Sequence, residues 1–266
     1  MDKLQRIKSD GIEIAVEEFG QGEPFIFAHG LTGNRHGSRA QLEPLADRYR
    51  IIIYDQRGHC DSTPVTDPAL YNAERMAEDM TAVMDTLGIP RAIVGGESMG
   101  ATTTLLFALK HPERVKALLL TAPAFGDQLN PDRQRLKDLG KTIAKLGMDE
   151  FLKQAAVRQR NDLGWSPEVI AYVRDKFASH QAPSLAAAMQ TAPEWVIFSD
   201  ISVVSKLTCP TCIVAWKDDL LHPFELSQRI AALIPNARLE EIPTLPAAFA
   251  DPPMVGKIYR RFLESA

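Results

Sequence analysis

Three cysteines among 266 residues are too few, and odd in number, for a disulfide framework. Cys209-Pro210-Thr211-Cys212 has C-x-x-C spacing, but it leads into the strand-like Ile213-Val214-Ala215-Trp216 instead of opening a helix. Two small apolar residues at a strand entry are expected there, not a redox or metal motif. No apolar run is long enough to span a membrane. The first residues, Met1-Asp2-Lys3-Leu4-Gln5-Arg6, lack the apolar core of a signal peptide. Basic residues are scattered, and the net charge of −4 speaks against nucleic acid as a partner. Hydrophobic content of 45% and charged content of 24% are those of an ordinary globular chain. The expectation is a cytoplasmic protein with a small-molecule substrate and neither a nucleic-acid nor a membrane partner; a homodimer is compatible with it. One further scarcity bears on chemistry: the six histidines are 29, 36, 59, 111, 180 and 222, and none follows residue 222.

The most informative stretch is Gly96-Glu97-Ser98-Met99-Gly100, a G-x-S-x-G. A short apolar strand-like segment, Arg91 to Gly95, precedes it, and a helix-like segment, Thr102 to Lys110, follows it. Strand, tight turn and helix are the setting of a nucleophile elbow, in which a serine is held in strained backbone angles and its neighbours must be small.

Elsewhere, residues 3–19 read as two strands joined at Asp10-Gly11. Pro24 to Ala28 and Arg50 to Tyr54 read as strands buried on both faces. Residues 40–48 look helical, and Glu74 to Leu87 places Met76, Met80, Val83, Met84 and Leu87 on one helical face. Val115 to Thr121 is another strand. From about Ala124 to Ser199 the chain is charged and helix-like, with no strand run. Leu207 to Trp216 resumes as a strand, Pro223 to Leu233 as a helix, Leu239 to Ile242 as a strand and Pro253 to Leu263 as a helix. Alternating strands and helices predict an α/β fold with a mostly parallel sheet covered on both faces. The expected division is a core of residues 1–123 and 200–266 and a helical cap of residues 124–199.

The order of these pieces resembles the α/β-hydrolase superfamily, in its esterase and cofactor-free haloperoxidase branch. The carriers are His29-Gly30, Asp55-Gln56-Arg57-Gly58-His59, the elbow, and Trp216-Lys217-Asp218-Asp219-Leu220-Leu221-His222-Pro223. The resemblance implies an eight-stranded sheet and no metal or organic cofactor. It makes Ser98 the nucleophile and, by the register of the late loop, Asp219 the acid, with Asp218 as the alternative. Leu31 and Met99 would supply the oxyanion N–H groups. His29 would fix its loop through side-chain hydrogen bonds and take no part in the chemistry. Serine where epoxide hydrolases and dehalogenases carry aspartate disfavours those activities.

In relatives the base histidine follows the last strand, in text resembling I-P-G-x-G-H. Here the same stretch reads Ile242-Pro243-Thr244-Leu245-Pro246-Ala247-Ala248-Phe249, which puts Ala247, or Ala248 one residue on, in the histidine slot. Three readings remain open: a base deliberately changed to alanine, a natural relative that has lost hydrolysis and binds or transforms a small molecule otherwise, or another histidine standing in. His222 lies three residues past Asp219. The expectation from the slot is a serine hydrolase acting on an ester, lactone or thioester, inactive or weakly active as written. A small-molecule binding protein, or a lyase, C–C bond or cyclase-like member of the same fold, is the alternative. Substrate contacts are expected from Gly30, Leu31, Trp165, Trp195 and Leu221, and from Tyr172, Phe177, Met189 and Phe198 in the cap. Leu31, Met99 and Leu221 would make an apolar mouth suited to a neutral, fairly hydrophobic substrate.

Overall fold

A computed structural model describes residues 4–265. Strands β1 (Gln5–Ser9) and β2 (Ile12–Gly20) form an antiparallel hairpin turned at Asp10-Gly11. β3 (Glu23–Ala28), β4 (Tyr49–Tyr54), β5 (Ala92–Glu97), β6 (Val115–Thr121), β7 (Thr211–Ala215) and β8 (Ala237–Glu241) run parallel to one another. The eight strands are ordered β1-β2-β4-β3-β5-β6-β7-β8. β2 pairs antiparallel with β4, so the hairpin forms one edge of an otherwise parallel sheet. This is the α/β architecture expected from the alternation of elements. The central strands are apolar over most of their length because both of their faces are covered.

One face carries α2 (Ala73–Thr86) and α3 (Met99–Lys110), whose Met76, Met80, Val83, Met84, Leu105 and Phe107 pack into a buried cluster with Ile26, Val94 and Leu118. The other carries α1 (Arg35–Leu42) and α10 (Pro253–Ser265) over Phe25, Phe27, Ile51, Ile53 and Val214. α1 begins five residues before the helical stretch read from sequence. Its start is set by Asn34, whose side chain accepts from the Gly37 N–H at 2.7 Å.

Between β6 and β7 the chain inserts α4 (Arg133–Leu146), α5 (Met148–Asn161), α6 (Pro167–Ala178) and α7 (Ala182–Thr191). Leu185, Ala188 and Met189 of α7 belong to the same buried cluster as α2 and α3. α8 (Phe224–Leu233) follows β7, opened by Pro223 as expected from sequence. A short helix, α9 (Leu245–Ala250), lies between β8 and α10, where the sequence showed no helical pattern. Thr244 caps it, accepting from the Ala247 N–H at 3.2 Å.

Two buried arginine networks pin the loops after the strands. Arg57 donates to both oxygens of Asp79, at 3.0 and 2.8 Å, and Ser9 Oγ donates to the same carboxylate at 2.5 Å. Arg35 reaches Asp55, Asp61 and Glu17 from the start of α1. Asp55 and Arg57 thus hold the loops in place. Cys209 and Cys212 are unpaired, with Cys212 buried in β7.

Candidate active site

Ser98 stands between the last residue of β5 and the first of α3, at φ 55° and ψ −115°, a conformation that an L-residue adopts only under constraint. The turn is tight enough to exclude side chains on either side. A Cβ on Gly96 would lie 2.3 Å from Gly100 O, and one on Gly100 would lie 2.1 Å from Ala28 O. The Ser98 N–H donates to Thr121 O of β6 at 2.8 Å, which locks the elbow to the neighbouring strand.

The loop after β7 supplies the acid. Asp218 takes φ 59° and turns the chain back, so that Asp219 faces its own backbone. Asp219 Oδ1 accepts from the Leu221 N–H at 2.9 Å, with the His222 N–H at 3.4 Å. Asp219 Oδ2 accepts from Trp216 Nε1 at 2.8 Å and from His222 Nδ1 at 2.7 Å. Trp216 stands where the resemblance calls for glycine, and its indole both holds the carboxylate and lies against the His222 ring, centroids 5.2 Å apart. Burial alone would raise the Asp219 pKa, but His222, the Trp216 indole and the Leu221 N–H stabilise the anion and hold it well below the usual carboxylate range.

The histidine that meets Ser98 is not at residue 247, the slot expected from the resemblance, but on the loop after β7. His222 Nε2 lies 2.9 Å from Ser98 Oγ. Because Asp219 is a carboxylate, His222 Nδ1 carries the proton it donates, and Nε2 is left to accept from the serine hydroxyl. Serine, histidine and aspartate thus form one continuous hydrogen-bonded chain, with Ser98 9% and His222 7% exposed. Ala247 takes no part in it. The segment after β8 folds as α9 and packs on α6, where Phe249 lies 5.3 Å from the Tyr172 ring and 6.5 Å from the Trp165 ring. Sequence reasoning gave His222 too little weight because its role depends on how tightly the 216–223 loop turns. The available signal was the D-x-x-H spacing together with the lack of any later histidine.

The loop after β3 closes the other side. A Cβ on Gly30 would lie 3.2 Å from Ser98 Cβ, so Leu31 follows directly beside the nucleophile. Neither the Leu31 nor the Met99 N–H donates to a protein acceptor among the described residues, which leaves both available to an oxyanion. His29 Nδ1 donates to Gly30 O at 2.7 Å, and its Nε2 accepts from the Gln56 N–H at 2.9 Å. His59 is wedged between Arg57 O and Leu31 O, each 2.8 Å from a ring nitrogen.

The cap residues expected to touch substrate divide into two groups. Trp165 and Tyr172 meet α9 through Phe249. Trp195 and Phe198 are core, with Trp195 Nε1 3.3 Å from Tyr71 O and its ring on Phe125. Met189 is also buried in that core, and Phe177 stacks on Phe151. Leu221 contributes its backbone, its carbonyl accepting from Asn130 at 2.8 Å. No group of three or more histidine, cysteine, aspartate or glutamate side chains among the described residues is arranged to hold a metal ion.

His29, His59 and His180 stack in a buried row, with ring centroids 5.1 and 5.4 Å apart. Burial, then their mutual repulsion, lowers the His29 pKa well below 6.5 and brings that of His180 to about 3; burial lowers His59 as well. In the folded protein these rings take up protons less readily than in the unfolded chain. Between about 6.5 and each lowered value the unfolded state binds more protons, so stability falls as pH falls. His180→Leu is expected to reduce this acid sensitivity by up to about 1.4 kcal/mol per pH unit, read from urea denaturation at pH 7, 6 and 5. An unchanged slope would show that His180 is already protonated in the folded state.

Serine, histidine and aspartate are thus hydrogen-bonded in a row at one end of the sheet, with the Leu31 and Met99 N–H groups unpaired among the described residues. The family model for the alpha/beta hydrolase fold matches residues 23–245, and the chain belongs to that family as a hydrolase. A protein named "Putative carbamate hydrolase RutD" from Azorhizobium caulinodans is 29% identical over 233 residues, 86% of each chain. Its namesake from Stutzerimonas stutzeri is 30% identical over 234 residues, 84% of this chain and 85% of that one. The solved structure of a thermophilic esterase from Thermogutta terrifontis superimposes with a TM-score of 0.81 at 25% identity, covering 99% of this chain and 98% of that one. No helix among the described residues is long and apolar enough to cross a membrane.

Proposed function

We propose that this protein is an active serine hydrolase that cleaves a carboxylic ester-type bond, in an ester, lactone or thioester, of a small and fairly apolar substrate. The observation that carries the reading is the placement of His222, 2.9 Å from Ser98 Oγ and 2.7 Å from Asp219 Oδ2. A serine hydroxyl is a poor nucleophile until a base takes its proton, and a base is useful only when a third group fixes its tautomer. In the first step Ser98 Oγ attacks the carbonyl carbon while His222 Nε2 takes its proton. The Leu31 and Met99 N–H groups receive the oxyanion. The imidazolium, paired with Asp219, then returns the proton to the leaving oxygen or sulfur, and the acyl group stays on Ser98. Water, deprotonated by the same His222, releases the acid. The helical segment of residues 124–199 acts as a cap that excludes bulk water over Ser98.

A carbamate is the second substrate class worth testing, since two relatives carry that name. The experiment is a comparison of p-nitrophenyl acetate, butyrate and octanoate, γ-butyrolactone and a p-nitrophenyl carbamate with the unaltered protein and with Ser98→Ala. Turnover of the esters, lost by a factor of about 10⁴ or more in the variant, is the expected result. Ester turnover that survives Ser98→Ala would overturn the reading.

A further inference from the structure

Glu97, the residue before the nucleophile, carries a charge that a hydrolytic serine does not need. A methyl group placed on Gly30 would lie 3.2 Å from Ser98 Cβ and 3.8 Å from Glu97 Oε1. The carboxylate oxygen therefore stands no more than 7.0 Å from Ser98 Cβ. A negative charge there opposes the oxyanion that forms in the first step. Inside a protein, two like charges about 7 Å apart slow such a step by one to two orders of magnitude.

The compensating charge comes from the inserted helices. Lys176, near the end of α6, is only 8% exposed, and its Nζ lies 3.7 Å from Glu97 Oε1. The ammonium lies over the Tyr172 and Phe249 rings, 5.5 and 5.3 Å from their centroids. Burial alone would lower the lysine's pKa, but the Glu97 carboxylate beside it outweighs that and raises it above the usual value. The end of α6 is fastened to the loop beside Ser98, since Asn34 Nδ2 donates to Ser179 Oγ at 2.9 Å and Cys60 Sγ lies 3.2 Å from the same hydroxyl. Charge and docking are thus delivered by one helix.

We propose that Lys176 is a positioning residue that neutralises Glu97 beside the nucleophile, so that full activity requires α6 to be docked. The inference rests on the serine-hydrolase reading above. The test is kcat/KM for p-nitrophenyl butyrate in the unaltered protein, Lys176→Met, Lys176→Arg, Glu97→Gln and the double variant Lys176→Met/Glu97→Gln, each first confirmed to melt cooperatively. Lys176→Met is expected to lose about tenfold or more, and Lys176→Arg less than about threefold. The double variant, which buries no unpaired charge, is expected to recover to within about threefold of the unaltered protein. Lys176→Gln replaces Lys176→Met should the latter not fold. A double variant as slow as Lys176→Met, or slower, would show that the lysine acts through packing alone and would overturn the proposal. An unaltered protein without ester turnover would overturn the hydrolase reading first, a result distinct from failed rescue in an active enzyme.

Discussion

Replacing His222 by alanine is expected to lower kcat/KM toward esters by about 10⁴ to 10⁶, while Ala247→His leaves it within about threefold. The size of the first effect follows from the role proposed for His222: to take the serine proton, return it to the leaving group and later activate water. Among the described residues no other imidazole bonds to Ser98 Oγ, and His29 and His59 are occupied with backbone groups of their own and of each other's loops. The small second effect follows from α9. Its Thr244 cap and the packing of Phe249 on Tyr172 and Trp165 fix the segment on the inserted helices. A histidine at 247 would meet an Asp219 whose Oδ2 already serves His222 and Trp216. Asp219→Asn is expected to cost about 10⁴, because the amide favours the wrong His222 tautomer. Stopped assays with purified variants measure all three. A thousandfold gain from Ala247→His would mean that His222 is not the working base.

Asp79→Ala is expected to be the most destabilising single change outside the active site, costing about 3–5 kcal/mol and lowering Tm by roughly 10 °C. The Arg57 and Asp79 side chains are 1% and 2% exposed, so truncating the acid leaves a buried guanidinium with its second anion, Asp10, only at 3.5 Å. Ser9 loses its acceptor at the same time. The paired change Arg57→Met/Asp79→Leu removes both charges and is expected to recover most of the loss, since replacing a whole buried pair by apolar residues is close to neutral. Chemical denaturation of the three proteins decides the matter. A loss under about 1 kcal/mol for Asp79→Ala would show that Arg57 finds water or another partner.

Much of this architecture was legible in the chain. Period-two and continuous apolar runs located every strand to within a few residues, because central strands covered on both faces leave few polar positions. The elbow was legible because a serine at φ 55° needs Gly96 and Gly100 around it, and that requirement is written in the sequence. α9 was not, since Leu245-Pro246-Ala247-Ala248-Phe249-Ala250 is too short for a periodic signal and is stabilised by a cap and by contacts with distant α6. The imidazole that meets Ser98 was hard to single out for a related reason. Family position pointed to residue 247, whereas the position of an imidazole in space depends on loop curvature. Here Asp218 at φ 59° and the bonds from Leu221 and Trp216 to Asp219 bend the 216–223 loop until residue 222 reaches Ser98. The lysine that faces Glu97 was equally hidden, because 79 positions of sequence separate them and only α6 docking brings them together.

The central claim is that Ser98 is activated by His222, and the most direct measurement is the rate of covalent labelling by a fluorophosphonate, read by intact mass and peptide mapping. The account predicts a single adduct on Ser98 in the unaltered protein, formed within minutes at micromolar reagent, and labelling at least about a thousandfold slower in His222→Ala. No adduct on Ser98, or equal rates in the two proteins, would contradict it.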